Sequence, residues 1–402
     1  MSSSQPGGPT DPPLKGLKVV ELARILAGPW AGQVLADLGA EVIKVERPEL
    51  GDDTRKWGPP FSTHADGSRA CATYFHSCNR GKRSVVADIA AREGQALVRD
   101  LASEADVLIE NFKVGGLSKY GLDYASLAAL NPGLVYCSIT GFGHTGPYAP
   151  RAGYDLLIQA MGGIMDITGE ADGPPIKPGV AYADIFTGLY AVIAIQAALA
   201  ERHRSGLGQH IDMALFDTQV GVLANQATSH LMTGVMPKRQ GSGHPSIVPY
   251  EPVPTADGHV IIACGNDRQF QRLCTALDLP EMADNPDFAS NELRVSHRTE
   301  IITRLNARTR ELESAEILER LEAVVVPAGP INSVAEVFED PQTIARAMRV
   351  DLPSSDTAST VAGVRTPINF SRSRLALEQA SPRLGNHHGG FQSGEAEGGE
   401  ES

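Results

Sequence analysis

The chain of 402 residues is long enough to bury a large core, and its length predicts two domains. Its formal net charge of −13 argues against nucleic acid or an anionic membrane as the main partner, so an anionic ligand must be met by local cations and backbone amides. The cysteines Cys71, Cys78, Cys137, Cys264 and Cys274 are odd in number and show no CxxC spacing, which disfavours a disulfide framework or a zinc site and reads as the reduced thiols of a cytoplasmic protein.

Residues 1–13 lack the charged and apolar regions of a signal peptide and read as a disordered leader. Leu17–Leu22 is a β-branched strand. Pro29 is the expected first residue of a helix that carries Trp30, Val34, Leu35 and Leu38 at helical spacing and stops at Gly39. Glu41–Glu46 is the next strand. The pattern recurs in Ser84–Asp88, a helix over 92–103, Asp106–Glu110 and Leu134–Thr140, which predicts an α/β fold with a large, doubly wound, mostly parallel Rossmann-like sheet. Ligands of such sheets bind beyond the carboxyl ends of the strands, where Arg47, Asn111 and Gly141 fall. The uncharged run Ile185–Ala200 reads as a buried helix, too short and interrupted for a membrane span.

Around Thr255 two short strands joined at Asp257-Gly258 give antiparallel signals, followed by helices over 268–277 and 314–323. The expected division is therefore 14–225 for the first part of the large domain, 226–330 for a linker and a smaller α+β domain, and 331–378 for a return to the large domain. Residues 379–402, rich in Gly, Glu and Ser, read as a disordered tail.

Generic motifs exclude more than they assign. Gly141-Phe142-Gly143-His144-Thr145-Gly146 fits G-x-G-x-x-G, but Pro147, Pro150 and Gly153 follow where a dinucleotide site needs a helix. No P-loop, HExxH or GxSxG occurs, so metal hydrolysis and serine acylation have no motif here, and no metal ligand set is expected. Asp184 stands at the threshold of the apolar helix, and on local grounds alone it is a helix cap.

A series of longer motifs changes that reading: LKVVELARILAGPWAGQVLADLGAEVIKVERP (17–48), GDDTRKWGPPF (51–61), NRGKRS (79–84), ADVLIENFKVGGLSKYGL (105–122), SITGFGHTGP (138–147) and SGLGQHIDMALFD (205–217). From about Leu14 to about Phe370 the chain resembles the class III CoA-transferases, the CaiB/BaiF family. The resemblance implies that Asp184 is the nucleophile, that coenzyme A arrives as a thioester substrate with no permanently bound cofactor, and that two subunits interlock as a homodimer. It further implies that Arg47 holds the adenosine end against Leu26 and Ala27, that Ala87 lines the adenine slot, and that Asn111, Phe112 and Lys113 wall the pantetheine channel. Lys119 stands where the family has a phosphate-binding arginine, an exchange that keeps charge and loses bidentate geometry. Thr140, Gly141, Phe142 and Gly143 are expected to offer backbone groups near the thiol. Lys82 and Arg83 read equally as plain surface charges.

In the implied mechanism a carboxylate attacks an acyl-CoA, forms an acyl-aspartyl anhydride and then a β-aspartyl-CoA thioester. Backbone donors for the oxyanion are sought in Gly241–Gly243, a segment that reads equally as a lid or a surface turn. The fold also hosts 2-methylacyl-CoA racemases, whose G-H-D motif corresponds to Gly153-Tyr154-Asp155 here. A tyrosine, which ordinarily titrates near ~10, is a poor base at neutral pH, so Tyr154 favours transfer over racemisation. A catalytically silent CoA-binding protein is the remaining alternative, disfavoured by the intact Asp184. The segments 151–169, 177–191 and 244–259 look most like the branch that transfers CoA from succinyl-CoA to glutarate and related dicarboxylates. For the distal carboxylate of such a small acid, Arg151, Lys238, Arg239 and His244 are available.

Overall fold

The computed structural model describes residues 10–64, 66–354, 357 and 360–387. Six strands, β1 (Lys18–Glu21), β2 (Glu41–Glu46), β3 (Lys82–Val86), β4 (Val107–Glu110), β5 (Val135–Thr140) and β6 (His210–Ala214), form one parallel sheet in the order β3-β2-β1-β4-β5-β6. The order reverses between β1 and β4, and doubly wound sheets bind their ligands in the crevice at such a reversal. VLIE of β4 and the first five residues of VYCSIT in β5 are wholly buried, as strands covered on both faces must be.

Helix α1 (Ala27–Asp37) starts two residues before the expected Pro29, with the Trp30 N–H donating to Leu26 O at 2.7 Å. Gly32 in its second turn is required by close approach: a Cβ there would lie 1.9 Å from the Glu21 carboxylate. The long helix α2 (Tyr182–Ser205) packs on α1 through the stripe Ala191, Ile195 and Ala198, which shares a core with Ala31, Val34 and Leu35. Its length and apolarity would suit a membrane span, and half of its most apolar window is buried inside the protein.

The chain divides into two compact units, Met1–Gly163 with Pro178–Ala227 and Gln342–Ser402, and Ile164–Lys177 with Thr228–Pro341. The second unit contains an antiparallel sheet of β7 (Tyr250–Pro254), β8 (His259–Ala263) and β9 (Ala328–Pro330), in the order β9-β8-β7. Its own core is built on Val253, Ile262, Phe270, Phe288, Ile301 and Leu321. The observed division departs from the expected one at both ends. Residues 164–177 join the second unit because Gly169 O accepts from Gly241 N at 3.0 Å and Asp166 O from Arg239 Nη1 at 2.9 Å. The return falls after Pro341 because a capping box of Ser333 and Glu336 starts one more helix, Val334–Glu339.

The expected leader and tail are also shortened. Leu14 N–H reaches Leu38 O at 2.9 Å and Thr10 pairs with Ser373, while Arg55 donates to Pro382 O at 3.1 Å and His387 N–H to Ser84 O at 3.1 Å. Backbone hydrogen bonds to neighbouring segments thus order residues 10–13 and 379–387, which their composition alone did not indicate. The remainder of the expected leader and tail, 1–9 and 388–402, lies outside the described residues.

Candidate active site

A cavity of about 630 Å³ opens in the first unit beyond the carboxyl ends of β1, β2, β4 and β5. Its wall includes Leu26, Ala27, Arg47, Ala87, Asn111, Phe112, Lys113, Lys119, Thr140, Gly141, Tyr154 and Asp184. One volume therefore brings together residues spread over more than 150 positions of sequence, because each follows or faces the end of a parallel strand.

Asp184 occupies the first turn of α2 and is 9% exposed. It is not the cap that its local sequence implies. The N-cap position is Ala181, and the first backbone donors are met by Asp155, whose Oδ1 accepts from Ala183 N at 3.0 Å and Asp184 N at 3.4 Å. Asp155 in turn is steadied by Gln159 Nε2 at 2.7 Å. Among the described residues, no side chain donates to the Asp184 carboxylate. Burial first, and the neighbouring Asp155 charge second, push its carboxyl up to about 7. A buried carboxylate with its lone pairs uncommitted, at the floor of a large cavity, is poised as a nucleophile.

The residues expected at the nucleotide end are held by neighbouring protein groups. Arg47 donates to Gly51 O at 3.0 Å and pairs with Asp53, which also pairs with Arg24 at 2.7 Å. Arg24 is a lining cation that sequence reasoning missed. Asn111 is engaged differently from the expectation: its Oδ1 accepts from Arg24 N at 2.9 Å and its Nδ2 donates to Arg24 O at 2.7 Å, so its amide anchors the β1–α1 turn. Phe112 N–H donates at 2.7 Å to Glu110, a carboxyl that burial pushes up to about 7. The Lys119 ammonium rests 4.6 Å from the centre of the Tyr120 ring.

Several expected residues lie elsewhere. Phe142 and Gly143 are not on the cavity wall: the Phe142 ring packs between Tyr148 at 5.5 Å and Phe216 at 5.7 Å, and the chain turns away at Gly143, whose φ is +81°. Gly141 remains because its backbone crosses that of Gly153, leaving no room for a side chain on either. Gly241, Gly243 and His244 belong to the second unit. The Gly241 and Gly243 N–H groups donate to Gly169 O at 3.0 Å and Gln240 O at 3.1 Å, so the segment is a hydrogen-bonded turn with neither amide open to an oxyanion. His244 Nδ1 accepts from Ser246 N at 3.1 Å. Of the cations considered for a distal carboxylate, Arg151 lines the cavity, its guanidinium 4.6 Å from the Tyr148 ring centre, whereas Arg239 pairs with Asp166 at 3.5 Å in the second unit.

Two further groups carried no sequence signal. Tyr74, on the short helix Thr73–His76, has its phenol pushed up to about 12 by burial first and then by the charge of Asp184. Lys82 is no surface charge: it is fully buried, 2.8 Å from Glu21, while Arg83 is exposed and pairs with Glu41. Among the described residues no group of three or more His, Cys, Asp or Glu side chains is arranged to hold a metal ion.

A family model described as CoA-transferase family III matches residues 14–388. A succinate–glutarate CoA-transferase of Agrobacterium fabrum is 58% identical over 376 residues, 94% of each chain. The succinyl-CoA:glutarate CoA-transferase of Homo sapiens is 42% identical over 375 residues, 93% of this chain and 84% of that one. A solved structure, a CAIB/BAIF family protein from Brucella suis, superposes with a TM-score of 0.85 at 59% identity, covering 95% of this chain and 99% of that one.

Proposed function

The chain belongs to CoA-transferase family III, and from that premise we propose that it moves coenzyme A from succinyl-CoA to glutarate, with Asp184 as the covalent carrier. The observation that carries the reading is the Asp184 carboxylate itself, buried, unheld by any donor side chain and set in the cavity that Arg47, Lys113 and Lys119 make cationic.

The Asp184 carboxylate attacks the thioester carbonyl of succinyl-CoA, the C–S bond breaks, and CoA thiolate leaves a succinyl-aspartyl anhydride. The thiolate then attacks the aspartyl carbonyl, and succinate departs from a β-aspartyl-CoA thioester. A glutarate carboxylate displaces the thiolate to form the glutaryl-aspartyl anhydride. Thiolate attack on its glutaryl carbonyl releases glutaryl-CoA and restores Asp184. Each step exchanges one acyl bond for another, so neither ATP nor a metal is required. Burial serves this chemistry twice, by excluding the water that would hydrolyse the anhydride and by leaving the carboxylate poorly solvated.

The racemase reading lacks a second base, because the residue before Asp155 is Tyr154, 64% exposed. The proposal extends to a cytoplasmic, interlocked homodimer. In support of the dimer, Leu231, Met232 and Val235 are 82%, 81% and 67% exposed in the single chain, as apolar residues at an interface would be. The test is chemical trapping: incubation with succinyl-CoA followed by hydroxylamine or borohydride should modify the peptide that contains Asp184. Modification of another carboxylate would overturn the assignment.

A further inference from the structure

Along one wall of the cavity, where Lys44, Glu46 and Asp52 are among the lining residues, lies a buried group of charges that the transfer chemistry does not use. Lys44, on β2, has its ammonium 2.9 Å from Glu21, 2.9 Å from Asp52 and 2.8 Å from Ala23 O. Lys82, on β3, reaches Glu21 and Pro29 O, both at 2.8 Å. Glu46 accepts from Asp52 N at 2.8 Å and from both sides of the Arg55 fork at 2.8 and 2.7 Å. The three cations and three carboxylates balance, and the Lys44 and Glu21 side chains have no exposure at all. Burial opposes the charge on Lys44, but Asp52 and Glu21 outweigh it and raise its pKa.

Such a cluster is not explained by stability, since apolar residues of equal volume would serve as well or better. What sets it apart is the backbone it holds. The turn from β1 to α1 passes through Ile25, a β-branched residue at φ +74°, where a side chain is disfavoured and the geometry must be imposed from outside. Five of the backbone contacts around that turn are made to this cluster or to Asn111: Lys44 takes Ala23 O, Asp52 takes Ile25 N at 3.3 Å, Asn111 takes both Arg24 groups, and Lys82 takes Pro29 O, while the Cys78 thiol lies 3.7 Å from Ile25 O. The same turn presents Arg24, Leu26 and Ala27 to the cavity.

We propose that Lys44 and Asp52 are positioning residues for the coenzyme A substrate: the buried ion pair clamps the strained Ile25 turn in the shape that the nucleotide end of the thioester recognises. This rests on the reading of the cavity as a coenzyme A site. The pair touches no reacting atom, so its loss acts on the donor thioester and spares the acceptor acid.

The test is steady-state kinetics of the full chain with succinyl-CoA and glutarate, on Asp52→Asn and on Lys44→Met/Asp52→Asn, the second removing both charges so that neither is left buried alone. For both variants the KM for succinyl-CoA should rise about tenfold or more, and the calorimetric affinity for free coenzyme A should fall in parallel, while the KM for glutarate stays within about twofold. A purely structural role would lower the melting temperature and the active fraction with both KM values unchanged, and that outcome in either folded variant overturns the proposal. A rise in both KM values together overturns it as well. If the wild-type chain neither binds coenzyme A nor passes it to glutarate, the functional reading itself falls and takes this inference with it; wild-type transfer with unaltered variants sinks the inference alone.

Discussion

Two aspartates in the same unit, both nine-tenths or more buried, behave in opposite ways. Against the cost of burial, the Lys44 ammonium and the Thr54 donors bring Asp52 down to about 2, whereas Asp184, with no donor side chain and a second carboxylate nearby, is pushed up to about 7. The difference lies in the partners and not in the depth. Asp52 is a finished electrostatic arrangement, with Lys44 and the Ile25 and Thr54 backbone as its partners. Asp184 is an unfinished one, which is what the proposed role of covalent carrier requires. A carboxylate that the fold leaves unsatisfied at the end of a cavity is thus a better marker of chemistry than burial or charge alone.

The largest effect expected from breaking that contrast is on turnover. Asp184→Ala should lower CoA transfer by about a thousandfold or more while the protein still folds and binds coenzyme A, as checked by exchange kinetics beside calorimetry. Retention of near wild-type transfer would show that the unsatisfied carboxylate is not the carrier.

Next come the stabilities, where the same substitution should have opposite signs at the two sites. Asp52→Asn leaves Lys44 without its ion-pair partner there and should destabilise the fold by about 3–5 kcal/mol at pH 7, read by denaturant unfolding. The stability that Asp52 supplies is present above the unfolded value near 3.8 and is lost only as pH falls through about 2. Asp184 is the reverse case. Its pKa is raised on folding, so the group favours the folded state below the unfolded value of 3.8 and forfeits that contribution as pH rises through about 7. Asp184→Asn should therefore stabilise the protein at pH 8, by up to about 4 kcal/mol, with little change at pH 4. Equal destabilisation by both substitutions would mean that the two sites are not electrostatic opposites.

The contrast also explains what the sequence disclosed. The strand–helix alternation and the strand ends located Arg47, Asn111 and Gly141 on one cavity, because parallel sheets place their loops predictably, while Ala87 came from the family resemblance. Asp184 came from family resemblance, since locally it reads as a cap and only the structure shows Asp155 filling that part. The buried cluster was illegible for a physical reason. EVIKVE in β2 has three charged residues among six, as a strand open to water would, yet five of the six are buried, and the partners of Lys44 and Glu46 come from β1, β3 and the loop after β2. Residues 164–177 and the Gly241–Gly243 turn were misplaced for a related reason: their hydrogen bonds join segments some seventy positions apart, and no periodicity records them.

The smallest effect should come from the neighbour that sharpens the difference. Asp155 contributes the second part of the upward push on Asp184, and its Oδ1 also accepts the Ala183 N–H at the start of α2. Asp155→Asn removes the charge while an amide oxygen can still accept that hydrogen bond. The nucleophile must be ionised, so the rate should rise with pH through a limb that reports Asp184. Removing a negative neighbour makes ionisation easier, and the limb should move to lower pH than in the wild type. The plateau at high pH should change by less than about tenfold, because the variant alters when Asp184 is ready and not what it attacks. The measurement is kcat/KM for succinyl-CoA from pH 5 to 9. A limb that stays in place would assign the whole shift on Asp184 to burial, and a limb that moves upward would mean that Asp155 supports the charged nucleophile through the helix start more than it repels it.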